Sequence, residues 1–390
     1  MDGHSAAALS FVRSLGRAGY WVAVGSNRGS FAAASLSRYC QASFEYPIST
    51  QEITAFAEAV REFVHKNDIE LVIPMTDWTT LPIARYPEYF RDLCPFALST
   101  PESLDFVSDK YRVVELARTL AIPVPETWLI VSSADLKALP EIGFPVVVKD
   151  RFSVRWINGM PVFGSVEYAY TRQSLLEKAE AQLRQAGDVL IQNFVGGTGI
   201  GFSCFALNDE IRLPFQWQRI REVDPRGSGS SSRRSIPLDS EVVAASIALI
   251  KHVKFQGISM VEYKKEIATG RSVLMEINGR PWGSIQLAVA SGIDYPRFVA
   301  EWYLNAKLPP EKLAYKAITC RRMVGELTHL EHLRHGPPPG WPIPYPNLWT
   351  SLLKIAVPWY PGMRYDDVSL SDPRPGVAEI SNWFQRRLKK

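Results

Sequence analysis

The chain is 390 residues long, enough for two or three domains with buried cores, and its 46% hydrophobic, 22% charged composition excludes a disordered or fibrous class. A formal net charge of +4 gives no electrostatic case for nucleic acid as a partner, and the lack of any run of 18 apolar residues argues against a transmembrane helix. Cys40, Cys94, Cys204 and Cys320 are far apart and form no CxxC pair, so neither a disulfide framework nor a zinc site is indicated. The opening MDGHSAAALS lacks the basic-then-apolar layout of a secretory signal, and the expected location is cytoplasmic.

Leu9, Val12 and Leu15 predict a helix over 5–18 closed by Gly19. A strand at YWVAVG (20–25), a helix near 51–66 and a strand at ELVIP (70–74) follow. This alternation predicts a parallel sheet covered by helices. SDKYRVVELARTLAIPVP predicts a capped helix from about Ser108 that ends before Pro123 and Pro125. FPVVVK (144–149) and VLIQNFV (189–195) read as strands with a helix at 173–186 between them, and GFSCFALNDEIRLPFQW reads as a hairpin turning at Asn208-Asp209. A Ser/Arg-rich loop (224–235) leads to a helix at 240–253 and two further strands. From about 310 the chain is rich in proline and aromatics, as in GPPPGWPIPYP (336–346). No internal repeat is present.

The last two strands carry the strongest chemical signal. In VLMEINGRPWGS (273–284), alternation along a strand puts Glu276 and Asn278 on one face, with Val273, Met275 and Ile277 on the other. Arg280 continues the polar line if the chain stays extended past Gly279. A three-residue loop, Ala268-Thr269-Gly270, would join this strand to GISMVEYKKE and set Glu262 opposite Glu276. Like charges directly opposite one another are destabilising. Protonation of one acid or a divalent cation would relieve them, and two carboxylates plus the Asn278 carbonyl form an oxygen-only set that suits magnesium rather than zinc. A solvated acidic pair is the bland alternative.

The stretch GISMVEYKKEIATGRSVLMEINGRPWGSIQLAVASGIDYP resembles the metal-binding hairpin of the ATP-grasp superfamily, in the branch described as predicted ATP-dependent carboligases or carboxylate–amine ligases. The resemblance implies an α/β (α+β ATP-grasp) fold. Its parts would be a pre-ATP-grasp Rossmann-like domain over 1–100, an ATP-grasp domain over 101–309 with a lid at about 125–194, and a C-terminal extension over 310–390. It also implies that the first strand of the N-terminal domain is missing and that the chain's start lies several residues late. Carried over residue by residue, Glu262, Glu276 and Asn278 are the implied ligands of magnesium or manganese, and Arg280 the stabiliser of transferring charge. Lys110 (in VSDKYRV) and Lys149 (closing FPVVVK) are the implied ATP contacts, with Gln192, Asn193 and Val195 (in LIQNFVGG) reading adenine. The family often has a glutamate where this chain has Asn193.

Two loops are open to two readings. In DRFSVRWINGMPVFG (150–164), Arg151, Arg155 and Asn158 could clamp phosphates or belong to a plain lid hairpin. In RIREVDPRGSGSSSRRSIP (219–237), Arg219, Arg226, Arg233 and Arg234 could grip a carboxylate or phosphoryl group, or the loop could be solvated; Arg226 and Arg234 are the catalytic candidates. His4 reads as a loop histidine without a ligand role. The resemblance implies an ATP- and magnesium-dependent ligase for a small-molecule carboxylate and an amine. A phosphotransferase of the same fold and a non-catalytic ATP-binding module are the alternatives. The tail reads as a packed cover, with a peripheral membrane contact through Trp383, Phe384 and Leu388 as the sharper alternative.

Overall fold

The structure, a computed structural model, describes residues 1–48, 52–157 and 160–388. Helix α1 (Ala6–Arg17) is capped by Ser5, whose Oγ accepts from the Ala8 N–H. Strands β1 (Ala23–Asn27) and β2 (Ala42–Tyr46) pair in parallel, with α2 (Ile53–Lys66) packed beside β2. The strand expected at 70–74 is reduced to one parallel bridge between Val72 and Phe96, because Pro74 and Pro95 have no N–H with which to extend a ladder. Between β1 and residues 69–73 lies a cavity of about 340 Å³ lined by side chains such as Phe11, Val12, Val24, Val60 and Val72. Buried Asp2 accepts hydrogen bonds from the N–H groups of Met75 and Thr76 and from the Thr79 hydroxyl. It thereby fixes the loop from which α3 (Asp77–Arg85) starts. His4 is exposed.

The single helix expected from Ser108 is two, α4 (Pro101–Ser108) and α5 (Lys110–Thr119). The break lies at Asp109, whose carboxylate caps α5 by accepting from the Tyr111 and Arg112 N–H groups, and this sets Lys110 at the first helical position. The next segment runs β3 (Thr127–Ile130), α6 (Ser133–Lys137), β4 (Val146–Lys149), the hairpin β5 (Val154–Ile157) and β6 (Met160–Phe163), β7 (Val166–Ala169), α7 (Arg172–Ala186) and β8 (Val189–Asn193). Its antiparallel sheet has the order β3-β8-β4-β7, and α6 and α7 bury Ile130, Val146, Val148, Leu175 and Ile191 against one face. Asn158 and Gly159 lie outside the described residues.

The largest sheet is built from β9 (Gly197–Leu207), β10 (Glu210–Glu222), β11 (Ser230–Ser235), β12 (Gly257–Glu266) and β13 (Ser272–Asn278), with α8 (Ser240–His252) between β11 and β12. After α9 (Ile285–Ser291) and α10 (Tyr295–Asn305), two short strands extend it: β14 (Thr319–Arg321) and, beyond α11 (Met323–Arg334) and α12 (Leu348–Ala356), β15 (Met363–Tyr365). The order is β13-β12-β9-β10-β11-β14-β15, and α13 (Pro373–Leu388) ends the described chain. The predicted turn at Asn208-Asp209 forms, with both residues at positive φ as a tight hairpin requires. Helices α4, α5 and α8 cover one face over Phe202, Val261, Tyr263 and Leu274; α1, α9 and α10 cover the other over Phe205, Phe215, Trp217 and Tyr295.

Two glycines shape the sheet where the site lies. A Cβ at Gly201 would sit 2.1 Å from the Trp217 ring, and one at Gly199 would sit 2.4 Å from the Arg219 side chain. Both are cross-strand neighbours of the residues they accommodate, so β9 carries no side chains where β10 lays Trp217 and Arg219 across it. The tail packs partly on itself. Trp383 Nε1 donates to Thr328 Oγ1 at 2.9 Å, and Arg387 stacks over the Trp383 ring, so that indole is packed against α11.

Candidate active site

Glu262 and Glu276 stand directly opposite each other in the β12–β13 ladder, as the spacing predicted, but by a different route. The turn closes one residue earlier on the β12 side, with Glu266 N–H bonded to the Arg271 carbonyl, so the loop has four residues (267–270), ending at Gly270 with φ +71°. A bulge then shifts the register between Glu262 and Tyr263, restoring the glutamate pairing and leaving Met275 as the extra residue. That bulge corrects the expected face of Met275: it lines the cleft beside Glu276, whereas Leu274 and Ile277 take the core positions.

A cavity of about 490 Å³ joins most of the expected residues. Lys110, Lys149, Gln192, Glu262, Glu276, Asn278 and Arg280 all line it. Lys110 Nζ donates to Ser153 Oγ at 2.8 Å. Burial, and then the neighbouring Lys110 charge, depress the Lys149 amine from its ordinary 10.5 to about 8. The two glutamates diverge. Burial pushes the Glu262 pKa up despite Arg219, whose Nη2 lies 2.5 Å from Glu262 Oε2. Burial also opposes ionisation of Glu276, but Lys110, the Asn278 amide, Lys149 and Arg280 outweigh it and hold its pKa below the usual value. Asn278 Nδ2 donates to Glu276 Oε1 at 3.2 Å, which leaves the amide oxygen for another partner.

Arg280 is held from the N-terminal region. Its Nε and Nη2 each donate to Asp77 Oδ2 at 3.3 Å, and Nη1 donates to the Pro281 carbonyl. Asp77 is the first residue of α3 and directly follows Met75 and Thr76, whose amides Asp2 holds. No sequence pattern marked it, because the pairing spans 203 residues. At the other end of the cleft, Gln192 Nε2 donates to Thr127 Oγ1, and the Val195 carbonyl accepts from Lys264 Nζ at 3.1 Å. Asn193 Nδ2 donates to Glu126 Oε2 at 3.2 Å. Asn193 and Val195 flank the cleft rather than line it. Lys264 lines it and was not anticipated, although it lies two residues beyond Glu262 on the same strand.

The arginine assignments need correction. Arg234 is exposed and donates to Gln218 Oε1; strand alternation turns its neighbour Arg233 inward, where Nη2 is 2.5 Å from Asp366 Oδ2 and the side chain lines the cleft. Arg226 is an exposed partner of Asp224, outside the cleft lining, while its carbonyl accepts from Tyr168 Oη and Gly227–Ser230 border the cavity. Arg151 and Arg155 do not line it either. Arg151 forms a two-point ion pair with Asp109, and Arg155 pairs with Asp188, so they tie the segment after β4 to the start of α5 and to the end of α7. Arg219, Arg233 and Arg322 are the arginines that join Arg280 in the cleft, with Trp217 and Trp282 as apolar walls. Among the described residues no group of three or more His, Cys, Asp or Glu side chains is poised for a metal. A cation here would therefore take the glutamate pair, the Asn278 oxygen and ligands from outside the protein.

The profile of a family described as "ATP-grasp in the biosynthetic pathway with Ter operon" matches residues 188–323, from β8 through β14. No curated protein sequence matches the chain. Among solved structures, a biotin carboxylase–β,γ-ATP complex from Campylobacter jejuni is similar over 80% of this chain and 72% of its own, with a TM-score of 0.64 at 15% identity. An L-amino acid ligase from Bacillus licheniformis is similar over 76% and 71%, with a TM-score of 0.55 at 14% identity. The biotin carboxylase domain of the Hydrogenobacter thermophilus 2-oxoglutarate carboxylase, solved with MgADP, ADP and bicarbonate, is similar over 80% and 71%, with a TM-score of 0.62 at 13% identity.

Proposed function

On an ATP-grasp fold, we propose that the chain is an ATP-dependent ligase that joins a small-molecule carboxylate to an amine through an acyl phosphate. The observation that carries this reading is one cleft holding an opposed carboxylate pair, an amide and Arg280 beside the half-buried Lys110 and the buried Lys149. Lys110 and Lys149 would bind the phosphates of ATP, with the base toward Gln192, Asn193 and Val195. The glutamate pair with the Asn278 oxygen is an oxygen-only set, which fits magnesium or manganese; such an ion, when bound, neutralises phosphate charge. A nucleotide solved in the Campylobacter jejuni structure and MgADP in the Hydrogenobacter thermophilus one support both groups as ligands of the fold.

In this reading a carboxylate oxygen of the acid attacks the γ-phosphorus of ATP as the bond to the ADP oxygen breaks. Arg280, oriented by Asp77, faces the negative charge that builds up on the transferred group. The free amine then attacks the acyl carbon, inorganic phosphate leaves, and the ammonium proton passes to solvent. Arg233 and Arg322 line the same cleft as Trp217 and Trp282 and are the arginines we assign to the acid, in place of Arg226 and Arg234, which lie outside it. Oxygen-labelled carboxylate tests the scheme: label recovered in inorganic phosphate, together with an amide, is the expected result. A stable phosphorylated acid would instead establish a phosphotransferase, and bound ATP with no turnover of any acid would establish a binding module.

A further inference from the structure

The C-terminal extension turns an apolar helix face toward solvent. On the inner side of α12, which packs on α11, Ser351 is buried and Leu348 and Ile355 are partly so. The outer side carries Trp349 (70% exposed), Leu352 (40%) and Leu353 (71%) at the i, i+3, i+4 spacing of one helix face. The chain then leaves the helix through Val357 (45%), Trp359 (60%) and Tyr360 (39%). Together these side chains offer roughly 600 Å² of apolar surface, at the upper end of what a monomer ordinarily leaves uncovered.

The surrounding charge selects the partner. From 332 to 388 the chain has four acids, and all are buried: Asp366 pairs with Arg233, Asp372 with Arg13 and Glu379 with Arg322, while Asp367 accepts from the Met323, Val324 and Val368 N–H groups. The cations Arg334, Lys354, Arg364, Arg374 and Arg386 of the same stretch are exposed. The surface of this 332–388 stretch is thus apolar and cationic, with its four carboxylates buried; Glu331, just before it, is part-exposed and paired with Arg387. A second copy of the chain would set like charges against like. Trp and Tyr rings around a Leu pair, on and just after a nine-residue helix that carries Lys354 in its last turn, match the boundary between lipid headgroups and acyl chains.

We propose that α12 and the Val357–Tyr360 turn form an interfacial anchor that docks this protein on an anionic lipid surface. No described helix is long and apolar enough to cross a membrane, so the anchor lies in the interface rather than spanning it. Of the tail residues read as a membrane contact, Trp383 is packed against α11 while Phe384 and Leu388 are exposed, and α12 adds the exposed Trp349, Leu352 and Leu353. The reading is independent of the ligase chemistry.

The test is co-sedimentation of the full chain with vesicles of phosphatidylglycerol and phosphatidylcholine, and with phosphatidylcholine alone. The protein should pellet with the anionic vesicles, release in high salt and bind neutral vesicles at least about tenfold more weakly. Leu353→Asp should lose binding by about tenfold or more with an unchanged melting temperature, since Leu353 is exposed, and Lys354→Glu should weaken it about fivefold or more. Retention of the wild-type chain in the supernatant would overturn the proposal, as would a Leu353→Asp variant that binds like wild type. A dimer by light scattering that Leu353→Asp breaks, without vesicle binding, would assign the face to a second copy and overturn it too.

Discussion

Asp77→Asn isolates the contribution of the N-terminal region to the proposed chemistry. Asp77 receives two hydrogen bonds from Arg280, both at 3.3 Å, and each side chain keeps about a quarter of its surface exposed, 25% and 24%. Two long charge-assisted bonds in that setting contribute about 1–2 kcal/mol, and solvent screening puts the figure at the lower end. Asparagine preserves the shape and removes the charge, so the guanidinium keeps its bond to the Pro281 carbonyl and loses its main orientation. If Arg280 acts on charge that develops only in the transition state, the loss falls on kcat, by about fivefold to tenfold, with ATP affinity within about twofold of wild type. ADP release gives the rate, calorimetry with ATP gives the affinity, and a melting curve checks the fold. An unchanged kcat, or a parallel fall in ATP affinity and kcat, would refute the role given to the Asp77–Arg280 pair.

Three further outcomes follow from the same geometry. Lys149 ionises near 8 in the folded chain against 10.5 normally, so burying its charge costs stability below pH 8 and the cost disappears as pH rises toward 10. Phosphate favours the charged amine; ATP binding near pH 8.5 should therefore take up protons, seen in calorimetry across buffers of different ionisation enthalpy, and affinity should fall above about pH 8. Manganese binding, followed by electron paramagnetic resonance with ATP present, should weaken about a hundredfold in Glu276→Gln and in Glu262→Gln; retention in both variants would remove the glutamates from the metal site. Gly201→Ala should destabilise the chain by about 1–3 kcal/mol in urea melts, because its Cβ would enter the Trp217 ring at 2.1 Å.

How much of this was legible depended on how local each determinant is. The Glu262–Glu276 pairing and the Asn278 position followed from strand alternation and a glycine turn, and both hold. The bulge that makes them hold did not show, because a bulge is fixed by packing on both strands and leaves no residue-type mark at Met275. Arg233 and Arg234 show the cost of missing a strand: with 224–235 read as loop, no phase separated the inward arginine from the outward one, and β11 supplies that phase by pairing with β10 and β14. Asp77, Asp366 and Glu379 reach the arginines of the cleft from distant parts of the chain, which only the tertiary fold brings near. The ELVIP segment carried the composition of a strand, yet neighbouring prolines left it one bridge.

The central claim is tested most directly by ADP release from the purified chain with Mg-ATP and pooled carboxylates and amines, using Glu276→Ala as the control. The account predicts release that requires both pools and disappears in the variant. Release that needs neither the amine pool nor Glu276 would contradict it.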